Sequence, residues 1–175
     1  MTNHQFASLL PLFLFITTIL ADGASILAAI SSITNDTLAL NHTVASWSGD
    51  LLGALPILIQ ATTLLSTINS GTRTASSSAN LTDLETIGVA QATITLVSDV
   101  QSTLNTIVAA EPKFATLLVA PVIELNLLEE KAATDKFSAA VISKVPAAFQ
   151  GAAATIVAPV DTAFTNAIAA YKGVF

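Results

Sequence analysis

Apolar side chains recur at helical spacing from the first third of the chain: Ile26, Ile30, Ile33, Leu40, Val44 and Trp47, with Thr37 filling the one gap. Steps of four and three draw a single stripe along a helix of about six turns. At about 100° per residue, Asn35 falls on the face opposite Ile26, whereas Asn41 lies near the edge of the stripe. Ser48-Gly49-Asp50 breaks the pattern, and Asp50 suits the N-cap of a second helix. That helix, Leu51 to about Asn69, carries no charge and is apolar on most sides, as a central bundle helix is. Gln60, Thr62, Thr63, Ser66 and Thr67 dilute it, Pro56 interrupts it, and Arg73 is its lone basic flank, so no stable membrane span is expected.

NSGTRTASSSA, residues 69–79, has the composition of a flexible polar linker. Thr82-Asp83-Leu84-Glu85 then matches a capping box, with Ile87, Ile94, Val97, Leu104 and Val108 on one face of a third helix ending near Ala110. Pro112 predicts the start of a fourth helix running to Lys144, and Pro146 that of a fifth reaching Tyr171. No alternating strand pattern appears. The fold class is all-α, a single bundle of about five helices, several with Pro kinks. Val119-Ala120-Pro121-Val122 recurs as Val157-Ala158-Pro159-Val160, and Ala54-Leu55-Pro56-Ile57 resembles both. Each proline either opens a helix or sits inside one, and kinks of the second kind would bow helices apart around an apolar cavity.

Composition narrows the function. Hydrophobic residues make up 53% of the 175 and charged residues only 10%, well under the usual quarter or so. A net charge of −6 without any Lys/Arg run excludes nucleic acid and anionic membrane surfaces as partners. The absence of cysteine removes disulfides, thiolate catalysis and Cys-ligated metals.

FASLLPLFLFITTILA, residues 6–21, is too short and too terminal for a span and reads as a signal peptide over residues 1–23, with cleavage after Ala21 or Gly23. Residues 24–175 form the mature helical domain. Asn35-Asp36-Thr37, Asn41-His42-Thr43 and Asn80-Leu81-Thr82 are N-glycosylation sequons that agree with secretion.

Catalytic chemistry finds no foothold. The mature chain's lone histidine, His42, sits inside a sequon, so a Ser-His-Asp triad would have to operate beside a glycan. No metal-ligand cluster, Gly-rich phosphate loop or carboxylate pair across a cleft is recognisable, and neither enzyme activity nor a cofactor or metal is expected. Glu124, Glu129, Glu130, Lys131, Asp135 and Lys136 read as a solvated helix face with paired charges.

The wording of the second half is familiar: Leu125-Asn126-Leu127-Leu128-Glu129-Glu130-Lys131, Ala133-Thr134-Asp135-Lys136-Phe137-Ser138, Ile142-Ser143-Lys144-Val145-Pro146, Ile156-Val157-Ala158-Pro159-Val160-Asp161 and Ala167-Ile168-Ala169-Ala170-Tyr171. With Leu51-Leu52-Gly53-Ala54-Leu55-Pro56-Ile57 they resemble the fungal hydrophobic surface-binding protein A family, which includes the cell-wall galactomannoproteins. The order and spacing of these segments, from about Ala24 to Tyr171, carry the resemblance. It implies a secreted helical bundle that adsorbs to hydrophobic surfaces and, in some members, encloses a fatty acid. The chain ends at Tyr171-Lys172-Gly173-Val174-Phe175 without a Ser/Thr stalk or a hydrophobic tail, so free secretion is the simpler expectation.

Two functions follow. In the first, a cavity carries a fatty acid: about 14 methylenes at about 0.8 kcal/mol each contribute roughly 11 kcal/mol, less several for association. Candidate lining residues are Leu52, Leu55, Ile59, Ile94, Val97, Leu118, Val122 and Leu125, with Gln101 as the head-group contact. In the second, a structural wall glycoprotein or surface-adsorbing recruiter of secreted hydrolases works through an external patch, with cell-wall polysaccharide or the hydrolases as partners.

Overall fold

The computed structural model describes residues 21–174. Five helices follow one another: α1 (Ala21–Ser46), α2 (Leu51–Ser77), α3 (Asp83–Thr116), α4 (Ala120–Ile142) and α5 (Ala147–Tyr171). There is no strand among the described residues. The short connections make successive helices antiparallel, so α1, α3 and α5 run one way and α2 and α4 the other. α1 packs on α2 and α3, α2 on α4, α3 on α5, and α4 on α5, while α3 barely meets α4. The helices therefore close a ring in the order α1, α2, α4, α5, α3.

The α1 stripe is buried as its spacing predicts, Thr37 included. Asp50 caps α2 by accepting from the Gly53 N–H at 2.8 Å, and Gly49 supplies the positive φ of 99° that the turn requires. The Thr82 capping box forms in full: the Glu85 N–H donates to Thr82 Oγ1 and the Thr82 N–H to Glu85 Oε2. Glu85 also accepts from the Gly23 N–H at 3.3 Å, tying the start of α1 to that of α3. These bonds hold the Glu85 carboxyl below its ordinary range, those from Thr82 most.

Two boundaries differ from expectation. The Ser/Thr-rich stretch is helical to Ser77, because Leu64, Ile68, Gly71 and Ala75 continue one buried stripe through it. Its polar side chains bond back to their own helix, as Asn69 Nδ2 does to the Leu65 carbonyl and Thr72 Oγ1 to that of Ile68. Gly71 lets the helix close on Phe137 and Ile33, whose atoms lie 3.1 and 3.2 Å from where a Cβ would sit.

Pro112 likewise does not open α4. It lies within α3, which continues to Thr116 and so delivers Phe114 to the core beside Trp47 and Tyr171. The chain turns at Leu118, a non-glycine residue with φ of 59°, and Pro121 then occupies the first turn of α4. Of the three related segments, the one at Pro121 opens a helix, whereas Pro56 and Pro159 stand inside α2 and α5.

Candidate functional site

Five helices arranged in a ring leave an axial space that only large side chains can fill. On two neighbouring helices of the ring the inward residues are short: Thr86, Val89, Ala90 and Thr93 on α3, and Ala152, Ala153 and Val157 on α5. A cavity of about 230 Å³ remains, walled by residues of all five helices. From Ile87 to Ile107 it extends roughly 30 Å along α3, at 1.5 Å per residue, and is therefore narrow. The volume exceeds the roughly 150 Å³ of an apolar void that stays dry and takes benzene, yet lies below the usual range for drug-sized pockets.

The two ends differ. Ile87 is 64% exposed, and Phe149 and Ala152 also reach the surface, so the cavity opens between the N-terminal turns of α3 and α5. A hydrogen bond from the Leu81 N–H to the Lys144 carbonyl, 2.8 Å, joins the two connections at this mouth. At the inner end Leu40, Ile107 and Glu130 separate the cavity from a second void of about 20 Å³.

Several hydroxyls line the wall, Thr134 and Ser138 of α4 among them, but Thr86, Thr93 and Thr103 donate to the carbonyls of Thr82, Val89 and Asp99 on their own helix. Thus engaged, these three leave the α3 wall nearly apolar. Thr37 Oγ1 and Glu130 Oε1 are different: both are buried without a hydrogen-bond partner, and both residues line the cavity. Glu130 is 4% exposed, and burial pushes its carboxyl up to about 8. At neutral pH it is mostly the uncharged acid, able to donate as well as accept.

The sequence placed Glu130 on a solvated face, and this is corrected. Ile123, Leu127, Glu130, Phe137 and Val141 share the buried face of α4, so the carboxyl occupies a core position. Its neighbour Lys131 does face outward, paired with Asp135 at 3.1 Å and with Asp161 of α5.

Of the eight apolar residues proposed to line a cavity, Val97 does so. Leu52, Leu55, Ile59, Ile94, Leu118, Val122 and Leu125 are exposed instead, Leu52 at 77% and Leu118 at 74%. Their helices turn smaller or differently phased residues inward: Ala54, Ile57, Ala61 and Leu64 on α2, and Ile123 and Leu127 on α4. Gln101 is half-buried and does not line the cavity. Thr103 and Thr37 stand at the inner end, and Thr37 was detectable as the polar member of an apolar stripe.

Among the sequons, Asn35 and Asn80 are exposed, while Asn41 is half-buried with its Oδ1 enclosed and unpaired. The expected signal peptide lies, up to residue 20, outside the described residues, and both expected cleavage points fall in the first turn of α1.

The sequence pattern of the family described as hydrophobic surface binding protein A matches residues 23–143. Cell wall mannoprotein 1 of Aspergillus flavus is 26% identical over 154 residues, covering 87% of this chain and 55% of the relative. The Aspergillus fumigatus protein of the same name is also 26% identical, over 89% of this chain and 54% of its own length. The chain thus spans about half the length of the curated relatives it matches. Among solved structures, AFMP4P in complex with palmitic acid has a TM-score of 0.83 at 28% identity, covering 86% of this chain and 99% of that one. Ligand binding domain 1 of Penicillium marneffei MP1, complexed with arachidonic acids, has the same TM-score and coverage at 15% identity, a likeness of fold alone.

Proposed function

This chain belongs to the hydrophobic surface binding protein A family, and from that premise we propose that it is a secreted fungal mannoprotein whose axial cavity carries a single-chain fatty acid. The observation that carries the reading is the cavity's form: narrow, long, apolar along its wall and open at one end. An extended alkyl chain matches that form, and a fused ring system does not. The palmitic acid bound by AFMP4P, which shares this fold at 28% identity, supports the same ligand class. Burial of about 14 methylenes at about 0.8 kcal/mol each leaves micromolar or tighter affinity after the cost of association. The work is ligand carriage, not catalysis. An extracellular or wall location fits the names of the curated relatives, and the exposed Asn35 and Asn80 are the glycan sites we favour over Asn41.

A second reading, adsorption to hydrophobic surfaces, has its own observation. Leu51, Leu52, Leu55 and Ile59 of α2 and Leu118, Val122 and Leu125 beside and on α4 are exposed. α2 and α4 are adjacent and begin at the same end of the bundle, so the two stripes form an external apolar region away from the mouth.

Native mass spectrometry of delipidated protein mixed with palmitic acid tests the first reading. One fatty acid per chain, retained by the folded protein and lost in Ala153→Leu, is the expected result. Bare protein at saturating palmitate would leave adsorption as the function.

A further inference from the structure

Resting on the fatty-acid reading above, we propose that Glu130, at the inner end of the cavity, is the hydrogen-bonding partner that holds the ligand's carboxyl group, so that the fatty acid lies head inward with its tail toward Phe149.

The geometry points this way for three reasons. Glu130 is the one ionisable residue among those lining the cavity, and it sits at the closed end with Leu40 and Ile107. Its Oε1 has no partner, and neither does Thr37 Oγ1 on the facing wall. Elsewhere the hydroxyls of Thr86, Thr93 and Thr103 are committed to their own helices, and Thr134 and Ser138, nearer the mouth on α4, are half-buried and hold no enclosed orphan atom. An orphaned buried polar atom carries an unrecovered desolvation cost. A carboxylate between Glu130 and Thr37 relieves that cost at two atoms, whereas a methyl terminus there relieves neither. The mouth, by contrast, is lined by Ile87, Phe149 and Ala152, apolar groups suited to an alkyl tail.

Such a contact requires the proton. Two ionised carboxylates in an apolar cavity repel, whereas an acid and a carboxylate share a hydrogen bond. Burial alone keeps Glu130 protonated to about pH 8. No other titratable residue is in the lining: Asp36 and His42 on α1, Arg73 on α2, Asp99 and Glu111 on α3, Glu129 on α4, and Lys131 with Asp161 between α4 and α5 all stand outside it. With the ligand bound, Glu130 and the ligand's carboxylate share one negative charge across their hydrogen bond; a second charge, from ionisation of Glu130, goes uncompensated, and affinity falls as pH rises through about 8.

The test is palmitate affinity of the full protein, by displacement of a fluorescent fatty acid, from pH 6.5 to 9.5. Binding by the neutral form alone predicts about tenfold weaker affinity at pH 9 than at pH 7, because the competent fraction falls by that factor. Glu130→Gln keeps a donor and is expected to bind palmitate with affinity independent of pH over this range. Palmityl alcohol, which carries no charge, is expected to show a much smaller pH effect on the wild-type protein. A flat wild-type profile for palmitate overturns the role of Glu130 while leaving the cavity reading standing, as does an equal slope in Glu130→Gln. Absence of palmitate binding at every pH overturns the cavity reading itself. The wild-type profile decides the matter even where a variant fails to fold.

Discussion

The two ends of the bundle solve the same geometric problem in opposite ways. Where α1, α3 and α5 finish, Trp47, Phe114 and Tyr171 fill the ring, with centroid distances of 4.4 Å between the first pair and 6.2 Å between the second. Their polar atoms are satisfied: Trp47 Nε1 donates to the Asp50 carbonyl at 2.9 Å, and Tyr171 Oη to the Ile107 carbonyl at 2.6 Å. Lys113 Nζ adds a 2.6 Å bond to the Trp47 carbonyl. Burial, with a lesser contribution from Glu111, raises the Tyr171 phenol far above its ordinary value, so it stays a donor. At the other end α3 and α5 face inward with Ala, Val and Thr, and the centre stays hollow. Backbone arrangement makes room for a cavity; side-chain size decides where that room is kept.

The contrast can be broken from the filled end first. Phe114→Ala removes the ring at the centre of the aromatic group and is expected to cost about 3–5 kcal/mol in urea unfolding. An equivalent change in the hollow part, Val97→Ala, is expected to cost no more than about 1 kcal/mol, since that wall already borders empty space.

Next in size is the pH dependence set by Glu130. Its folded-state value of about 8 exceeds the ordinary 4.5, so the folded protein binds the extra proton and is stabilised at low pH. Stability of the ligand-free protein is expected to fall by about 3 kcal/mol from pH 5 to pH 8 and to level off above. Glu130→Leu should remove this slope in denaturant titrations. The lowered carboxyls of Asp50 and Glu85 act only on the acid side, losing their contribution as pH drops below the usual carboxylate range.

Smaller still, Thr82→Ala removes the capping box beside the mouth and is expected to cost about 1 kcal/mol. Smallest in stability is Ala153→Leu. Filling the hollow part is expected to change unfolding free energy by less than about 1 kcal/mol while abolishing fatty-acid uptake.

Most of the fold could be read from residue spacing. The α1 stripe, the Asp50 cap, the Thr82 capping box and the helix start after Pro146 all have local causes, and the structure contains them. The misreadings came where tertiary contacts overrode local signals. A polar Ser/Thr run stayed helical because Gly71 and Ala75 are small enough to be buried, and Pro112 was carried through because Phe114 had to reach the core. The site was harder. Leu52, Leu55 and Ile59 are large and apolar, yet α2 buries Ala54 and Ala61 instead, since close helix packing selects small residues. Glu130 followed the buried phase of α4, but its charge made it look like surface. Phase along the helix was the better guide than chemical type.

The most direct test of the account places the ligand in the molecule. A palmitic acid analogue with a photoreactive diazirine in mid-chain would be bound, irradiated and mapped by peptide mass spectrometry. A ligand held in the axial cavity places labels on inward residues such as Val97, Val157 and Phe164. Labels confined to Leu52, Leu55 and Leu118, on the outer surface, would contradict it.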